Sequence, residues 1–372
     1  MNCKTNGYRA SIMATALATA LLTLAGCTDT ADQAKPAEEP TDLVWPLPPE
    51  QPRIKYVRSI RSSSDIGATA TRSLASSLLG EKEQAGTRME KPYAVTADNS
   101  GRIFVGETAT GTVQVFDVEN RKFEIWGQSG PGSLKLPLGI ASDSQGRIYV
   151  TDGKQKRLVV FDRTGEFMMA MGGKDQLERP VGVAVDEARG RIYVVDSHIH
   201  AIVVFDMAGN RVSQIGKRGK EPGQFNFPTN IALDKDGKLY VVDGMNFRVQ
   251  ILRPDGSPVA AFGQHADLPG NFARPKGIGV DPDGHIYVVD AAFNNFQVFN
   301  NQGALLLIVG ATGRGPGQFY LPAGAFLDAQ GRFYVVDQFN RRVQVFEYLG
   351  DSAAPPAPVP AAAKTPTDSP PQ

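Results

Sequence analysis

The sequence predicts an all-β chain: a six-bladed β-propeller of four-stranded antiparallel blades, the last blade closed by an N-terminal strand. One heptapeptide recurs six times, as GRIFVGE (101–107), GRIYVTD (146–152), GRIYVVD (190–196), GKLYVVD (237–243), GHIYVVD (284–290) and GRFYVVD (331–337). The acidic residue closing each copy, Glu107, Asp152, Asp196, Asp243, Asp290 or Asp337, follows its predecessor by 44 to 47 residues. That period belongs to propeller blades rather than to leucine-rich or helical repeats. The 39 glycines and 26 prolines among 372 residues supply the many turns such a fold needs.

The chain opens with a segment outside the fold. Lys4 and Arg9 precede an apolar run from Ala10 to Leu24 that ends in small residues, the pattern of an export signal over 1–26. The run is shorter than the roughly 20 residues a membrane span needs. Leu24-Ala25-Gly26-Cys27 resembles the lipobox of bacterial lipoproteins. The resemblance implies cleavage before Cys27, acylation of that residue and, because Thr28 follows rather than Asp, retention at the outer membrane facing the periplasm. Cys3 would leave with the signal, so no disulfide framework or cysteine metal cluster is available.

Residues 27–52 are rich in Asp, Glu, Ala and Pro and carry too little apolar surface to order themselves, which makes them a tether. At about 3.3 Å per residue such a tether holds the globular part tens of ångströms from the membrane. The globular part spans 53–349. RIKYVRSI (53–60) alternates as a strand should and supplies the strand that the last unit lacks. A polar crossover follows over 61–91, with one helical turn expected near 74–79, and the blades begin at residue 92. Residues 350–372 form a Pro/Ala-rich tail expected to be disordered.

Each blade starts with a proline: Pro92, Pro137, Pro180, Pro228, Pro275 and Pro322. In the third unit GVAVD (182–186), RIYVVD (191–196), AIVVFD (201–206) and RVSQIG (211–216) read as four consecutive strands joined by tight turns. One blade cannot bury both of its faces; a closed ring of six does so. The combined pattern Pro-x-Gly-φ-Ala-φ-Asp, Gly-Arg-φ-Tyr-Val-φ-Asp and Asn-x-Arg-φ-Gln-φ-Phe, φ being apolar, resembles the NHL repeat across 53–349. The resemblance implies the six-bladed fold and leaves activity open, because such propellers bind proteins or nucleic acids, act as sensors and in some cases are enzymes. The first blade departs most, with Ala94 for the early glycine and Glu107 for the strand-end Asp.

Two kinds of loop share one face of the ring, here called the top: those joining second to third strands, and those joining successive blades. Asp243 with Asn246, Asp290 with Asn294 and Asp337 with Asn340 are spaced for Asx turns. One carboxylate per blade is too sparse for a calcium shell of six to eight oxygens. The loops GKRGKEPGQF (216–225), GQHADLPGNF (263–272) and GATGRGPGQF (310–319) lack the Gly-Lys-Ser/Thr of a phosphate loop. Their recurrence predicts a shared turn built on a buried Phe225, Phe272 or Phe319.

Residues that break the repeat are the better functional candidates: His198, His200, Met245, Phe247, Phe293 and Phe339. If Phe247, Phe293 and Phe339 project outward they form an apolar patch on the top rim, a common mark of a partner surface. His198 and His200, with His265 one blade on, are the available metal candidates, although two histidines and a distant third make a thin zinc site. His285 falls in a bottom turn.

The 39 basic and 39 acidic residues give no whole-chain bias toward nucleic acid, and an exported chain would rarely meet it. No acid/base or nucleophilic constellation is concentrated in the sequence, so neither catalytic residues nor a cofactor are expected. The expectation is a monomeric, lipid-anchored, extracytoplasmic propeller acting as a binding or scaffold module for a protein, peptide or cell-envelope component. The alternative is a metal-dependent lyase or hydrolase in the central funnel, by resemblance to the peptidyl-hydroxyglycine amidating lyases. Those draw zinc-binding histidines from several separate blades, whereas this chain has four histidines in all.

Overall fold

The computed structural model describes residues 43–68 and 86–350. The export segment, Cys27, most of the tether, the helical turn expected near 74–79 and the tail from 351 lie outside them. The remainder is a ring of six β-sheets. Blade 1 is Pro92–Ala97, Arg102–Glu107, Thr112–Asp117 and Lys122–Trp126. Blade 2 is Pro137–Ser142, Ile148–Asp152, Arg157–Phe161 and Phe167–Gly172. Blade 3 is Pro180–Asp186, Arg191–Asp196, Ala201–Asp206 and Arg211–Ile215. Blade 4 is Pro228–Leu233, Leu239–Asp243, Arg248–Leu252 and Pro258–Phe262. Blade 5 is Pro275–Val280, Ile286–Asp290, Asn295–Phe299 and Leu305–Val309. Strands pair antiparallel in chain order, and the first strands of successive blades touch around a closed ring.

Blade 6 joins the two ends of the chain. Ala325–Leu327, Arg332–Asp337 and Arg342–Tyr348 are completed by Ile54–Ile60, which pairs with the third of them from Ile54↔Tyr348 to Ile60↔Val343. Order begins upstream of residue 53: Val44–Trp45 pairs with Lys55 and Ile54 as a fifth strand, and Trp45 meets Phe346 edge-on at 5.8 Å. The crossover starts with a short 3-10 turn, Ser63–Ile66, and packs Ile66, Ala68 and Met89 into the core between blades 6 and 1.

Second and third strands are buried almost throughout, whereas fourth strands face water, as in Arg211–Ile215, whose first four residues are exposed. Apolar clusters fill the space between neighbouring sheets, which buries both faces of each inner strand. Near the axis the first strands approach so closely that side chains are excluded. A Cβ on Gly277 would lie 2.7 Å from the amide nitrogen of Ala325, and one on Gly324 would lie 2.6 Å from the carbonyl oxygen of Tyr93. The glycine of the Pro-x-Gly signature therefore marks blade-to-blade contact.

Candidate functional site

In blades 1 to 5 the repeat proline opens its strand opposite the acidic residue of the heptapeptide, as in Pro137↔Asp152 and Pro275↔Asp290, whereas Pro322 precedes the first strand of blade 6. Proline gives the ladder no N–H. The carboxylate instead takes N–H bonds from the chain just before the proline: Lys135 and Leu136 donate to Asp152 at 2.7 and 3.2 Å, and Glu178 and Arg179 donate to Asp196. All six acidic side chains are fully buried. Asp243 and Asp337 also accept from side chains; Asn340 Nδ2, Arg342 Nε and Gln344 Nε2 reach Asp337 Oδ2 at 2.8, 2.8 and 3.2 Å. Arg342 then donates to the carbonyls of Gly315 and Gln318, clamping the incoming loop. The Asn-x-Arg-φ-Gln signature is thus a loop-fixing network. Burial raises Glu107 and Asp337 above ordinary carboxylates, with their N–H donors pulling the other way.

The turn reading of these carboxylates holds with one change. Asp290 accepts from the amides of Ala292 and Phe293, but Asn294 does not join it. Its Oδ1 accepts the Leu321 N–H of the next blade at 2.7 Å, and its Nδ2 donates to Thr312. His200 does the same work two junctions earlier, its Nδ1 accepting the Phe227 N–H at 2.9 Å. The inter-blade loops close on Phe225, Phe272 and Phe319, all fully buried, with short parallel pairings at Arg218↔Phe225, His265↔Phe272 and Ala311–Thr312 with Gln318–Phe319.

Register within the four-residue loop between second and third strands decides which candidates face water. The second position, held by Ala109, Lys154, His198, Met245, Ala292 and Phe339, is exposed in all six blades. The fourth position is left-handed in every blade: Gly111, Lys156, His200, Phe247, Asn294 and Arg341 have φ between 54° and 66°. Phe247, Phe293 and Phe339 occupy the fourth, third and second positions, so they do not form one outward patch. Phe339 is 53% exposed and packs edge-on to Tyr320 at 5.4 Å. Phe293 is half-buried, and Phe247 lies against His265 with ring centres 4.4 Å apart. Met245 is 54% exposed, and beside it stands Phe227, an exposed aromatic the repeat pattern did not single out. Its signal was positional, since it occupies a site where blades 1, 3 and 5 have Lys or Arg.

The three metal candidates are placed differently from one another. His198 is exposed, His200 is buried, and His265 packs at a tilt against Phe247. Burial, then the nearby Arg218 and His198 charges, lowers the His200 pKa below 6.5. Among the described residues no group of three or more His, Cys, Asp or Glu is arranged to hold a metal ion. The central channel, of about 180 Å³, is lined by first-strand residues of all six blades, none of them titratable. Its polar side chains, Ser142 and Asn230, are already hydrogen-bonded, the former to the Ala97 carbonyl and the latter to the Ile231 N–H.

The rim of the channel alternates in character. The residue before each opening proline is Lys91, Leu136, Arg179, Phe227, Arg274 and Leu321, cationic in blades 1, 3 and 5 and apolar in blades 2, 4 and 6. Among the described residues none of the three cations makes an ion pair, and Lys91 and Arg274 are exposed. This rim and the second-position ring form one continuous candidate surface.

Family comparisons agree with this architecture. A profile described as a 6-bladed beta-propeller matches residues 181–252 and 280–352, and the NHL repeat profile matches 134–161. RING finger protein nhl-1 of Caenorhabditis elegans is 31% identical over 157 residues, 40% of this chain and 16% of that protein. The chain thus spans about a sixth of this curated relative. Among solved structures, a streptogramin B lyase superposes with a TM-score of 0.55 at 15% identity, covering 72% of this chain and 97% of the lyase. An auxiliary nutrient binding protein from Bacteroides thetaiotaomicron superposes with a TM-score of 0.55 at 13% identity, covering 70% of this chain and 69% of that one. Likeness at these identities reaches the fold alone, and the fold serves both a lyase and a binding protein.

Proposed function

We propose that this NHL-repeat six-bladed propeller is an extracytoplasmic binding module, lipid-anchored through Cys27, whose top face holds a segment of a protein or peptide partner. The observation that carries the reading is the outward-facing group Phe227, Met245, Tyr320 and Phe339, between 41% and 54% exposed, set between the rim cations Lys91, Arg179 and Arg274. Exposed aromatic and methionine side chains in a defined ring are costly to leave in water and are the residues that anchor interfaces. The cations favour a partner bearing carboxylates and steer its approach. The apolar, untitratable channel wall supports binding rather than acid/base chemistry at the axis.

The test is crosslinking of the tagged, lipidated protein in intact envelopes, compared with a Met245→Ser, Phe339→Ser double variant. Both side chains point to solvent, so folding is expected to be retained. A stoichiometric partner captured by the native protein and lost from the variant is the expected result. Equal capture from both proteins, or none from either, overturns the reading.

A further inference from the structure

A cleft of about 560 Å³ lies away from the top face, between blade 5 and the N-terminal segment that completes blade 6. Its origin is topological. At other junctions the turn between third and fourth strands packs on the preceding blade: the Arg163 carbonyl accepts from Arg102 and the Pro254 carbonyl accepts from Tyr193. In blade 6 those two strands come from opposite ends of the chain, so that turn does not exist. Among the described residues no equivalent turn covers the blade 5 wall there.

The wall is amphipathic. Val298, Leu306 and Leu307 face Ile54 and the ring of Tyr348, and Leu306 is 52% exposed. The polar group of interest is His285, which stands where blades 1, 2 and 6 have Arg102, Arg147 and Arg332. Its Nδ1 lies 2.8 Å from Asp281 Oδ2, which also accepts from Tyr287 Oη at 3.1 Å. A carboxylate only accepts, so Nδ1 carries the hydrogen, and in the uncharged form of the ring Nε2 is the acceptor on the edge turned away from Asp281. Among the described residues Nε2 has no partner. Arg53 and Glu50 at the cleft offset each other, which favours an uncharged ligand.

The geometry points to a second binding site in this cleft, one that takes a small flat apolar molecule carrying a hydroxyl, its ring between Leu306 and Tyr348 and its O–H donated to His285 Nε2. The cleft volume falls in the range of small-molecule sites. The site is separate from the top face and does not depend on the reading above.

The probes are 2-naphthol and naphthalene, titrated calorimetrically into the intact propeller and into a His285→Arg variant. Arginine is the residue that other blades use in this turn and keeps the Asp281 pairing, so the melting temperature is expected to hold. The expected result is that 2-naphthol binds the native protein at least about tenfold more tightly than naphthalene and loses about tenfold in the variant. A His285→Leu variant, which has no acceptor, is checked by melting and reports the same loss should the arginine disturb the fold. No binding of 2-naphthol, equal binding of the two probes, or binding unchanged by both substitutions overturns the assignment.

Discussion

His200 shows how one side chain can look functional and prove structural. In sequence it stands out because it breaks the repeat; in the structure it equals Asn294, a left-handed residue that accepts an N–H from the next blade. Folding depresses its pKa, so the native state binds the proton less readily than the unfolded chain does. Its contribution to stability is therefore complete above the ordinary histidine pKa and is lost as pH falls from there through the lower folded value. We expect His200→Asn to flatten the loss of stability between about pH 7 and 5, measured by urea unfolding, because asparagine keeps the acceptor and the backbone conformation without titrating. Close approach at the axis gives a second residue-level expectation. Gly324→Ala should cost about 1–3 kcal/mol by overpacking against Tyr93, read as a lower denaturation midpoint. The heptapeptide acids were legible in the sequence because they do the same job six times, and the Pro-x-Gly glycines because they recur in four blades. Phe227 was not, because its meaning lies in the absence of the charge found at the same place in blades 1, 3 and 5.

At the level of elements, strand order followed from hydrophobic alternation, and the closing strand followed from counting: the last unit had three runs and the N-terminus had one to spare. The fifth strand Val44–Trp45 escaped notice because its neighbours are prolines and acids, which read as unstructured chain. Loop register was equally hidden. Three phenylalanines in three top loops look equivalent until the loops are aligned on their aspartates, and only then do they fall at positions of different exposure. Removing residues up to 61 should leave Arg342–Tyr348 as an open edge that presents Val343, Val345 and Phe346, all buried in the closed ring. Concentration-dependent aggregation in light scattering, reversed by a synthetic peptide covering 43–61, is the expected outcome. A monomeric, fully folded truncation would show that closure contributes little.

For the whole molecule, balanced net charge conceals an arrangement: the rim separates three cations, none of them ion-paired among the described residues, by apolar positions, while bottom turns pair theirs with Asp98, Asp143 and Asp186. Composition could not show this, because it needs the blades in register around an axis. Reversing the rim with Lys91→Glu and Arg274→Glu should weaken capture of the partner proposed above and reduce its salt dependence, with the melting temperature unchanged. The anchor is tested separately: Cys27→Ser should move the protein from the membrane fraction to the soluble one and abolish incorporation of labelled palmitate. Closing blade 6 from both termini also dictates an order of events. Ile54–Ile60 waits for Arg342–Tyr348, which is made after the five other blades, so a nascent chain short of Tyr348 cannot complete the ring. Until that pairing forms, the core between blades 6 and 1 stays open at Ile60, Val343 and Val345, so ring closure is a late and cooperative event of folding.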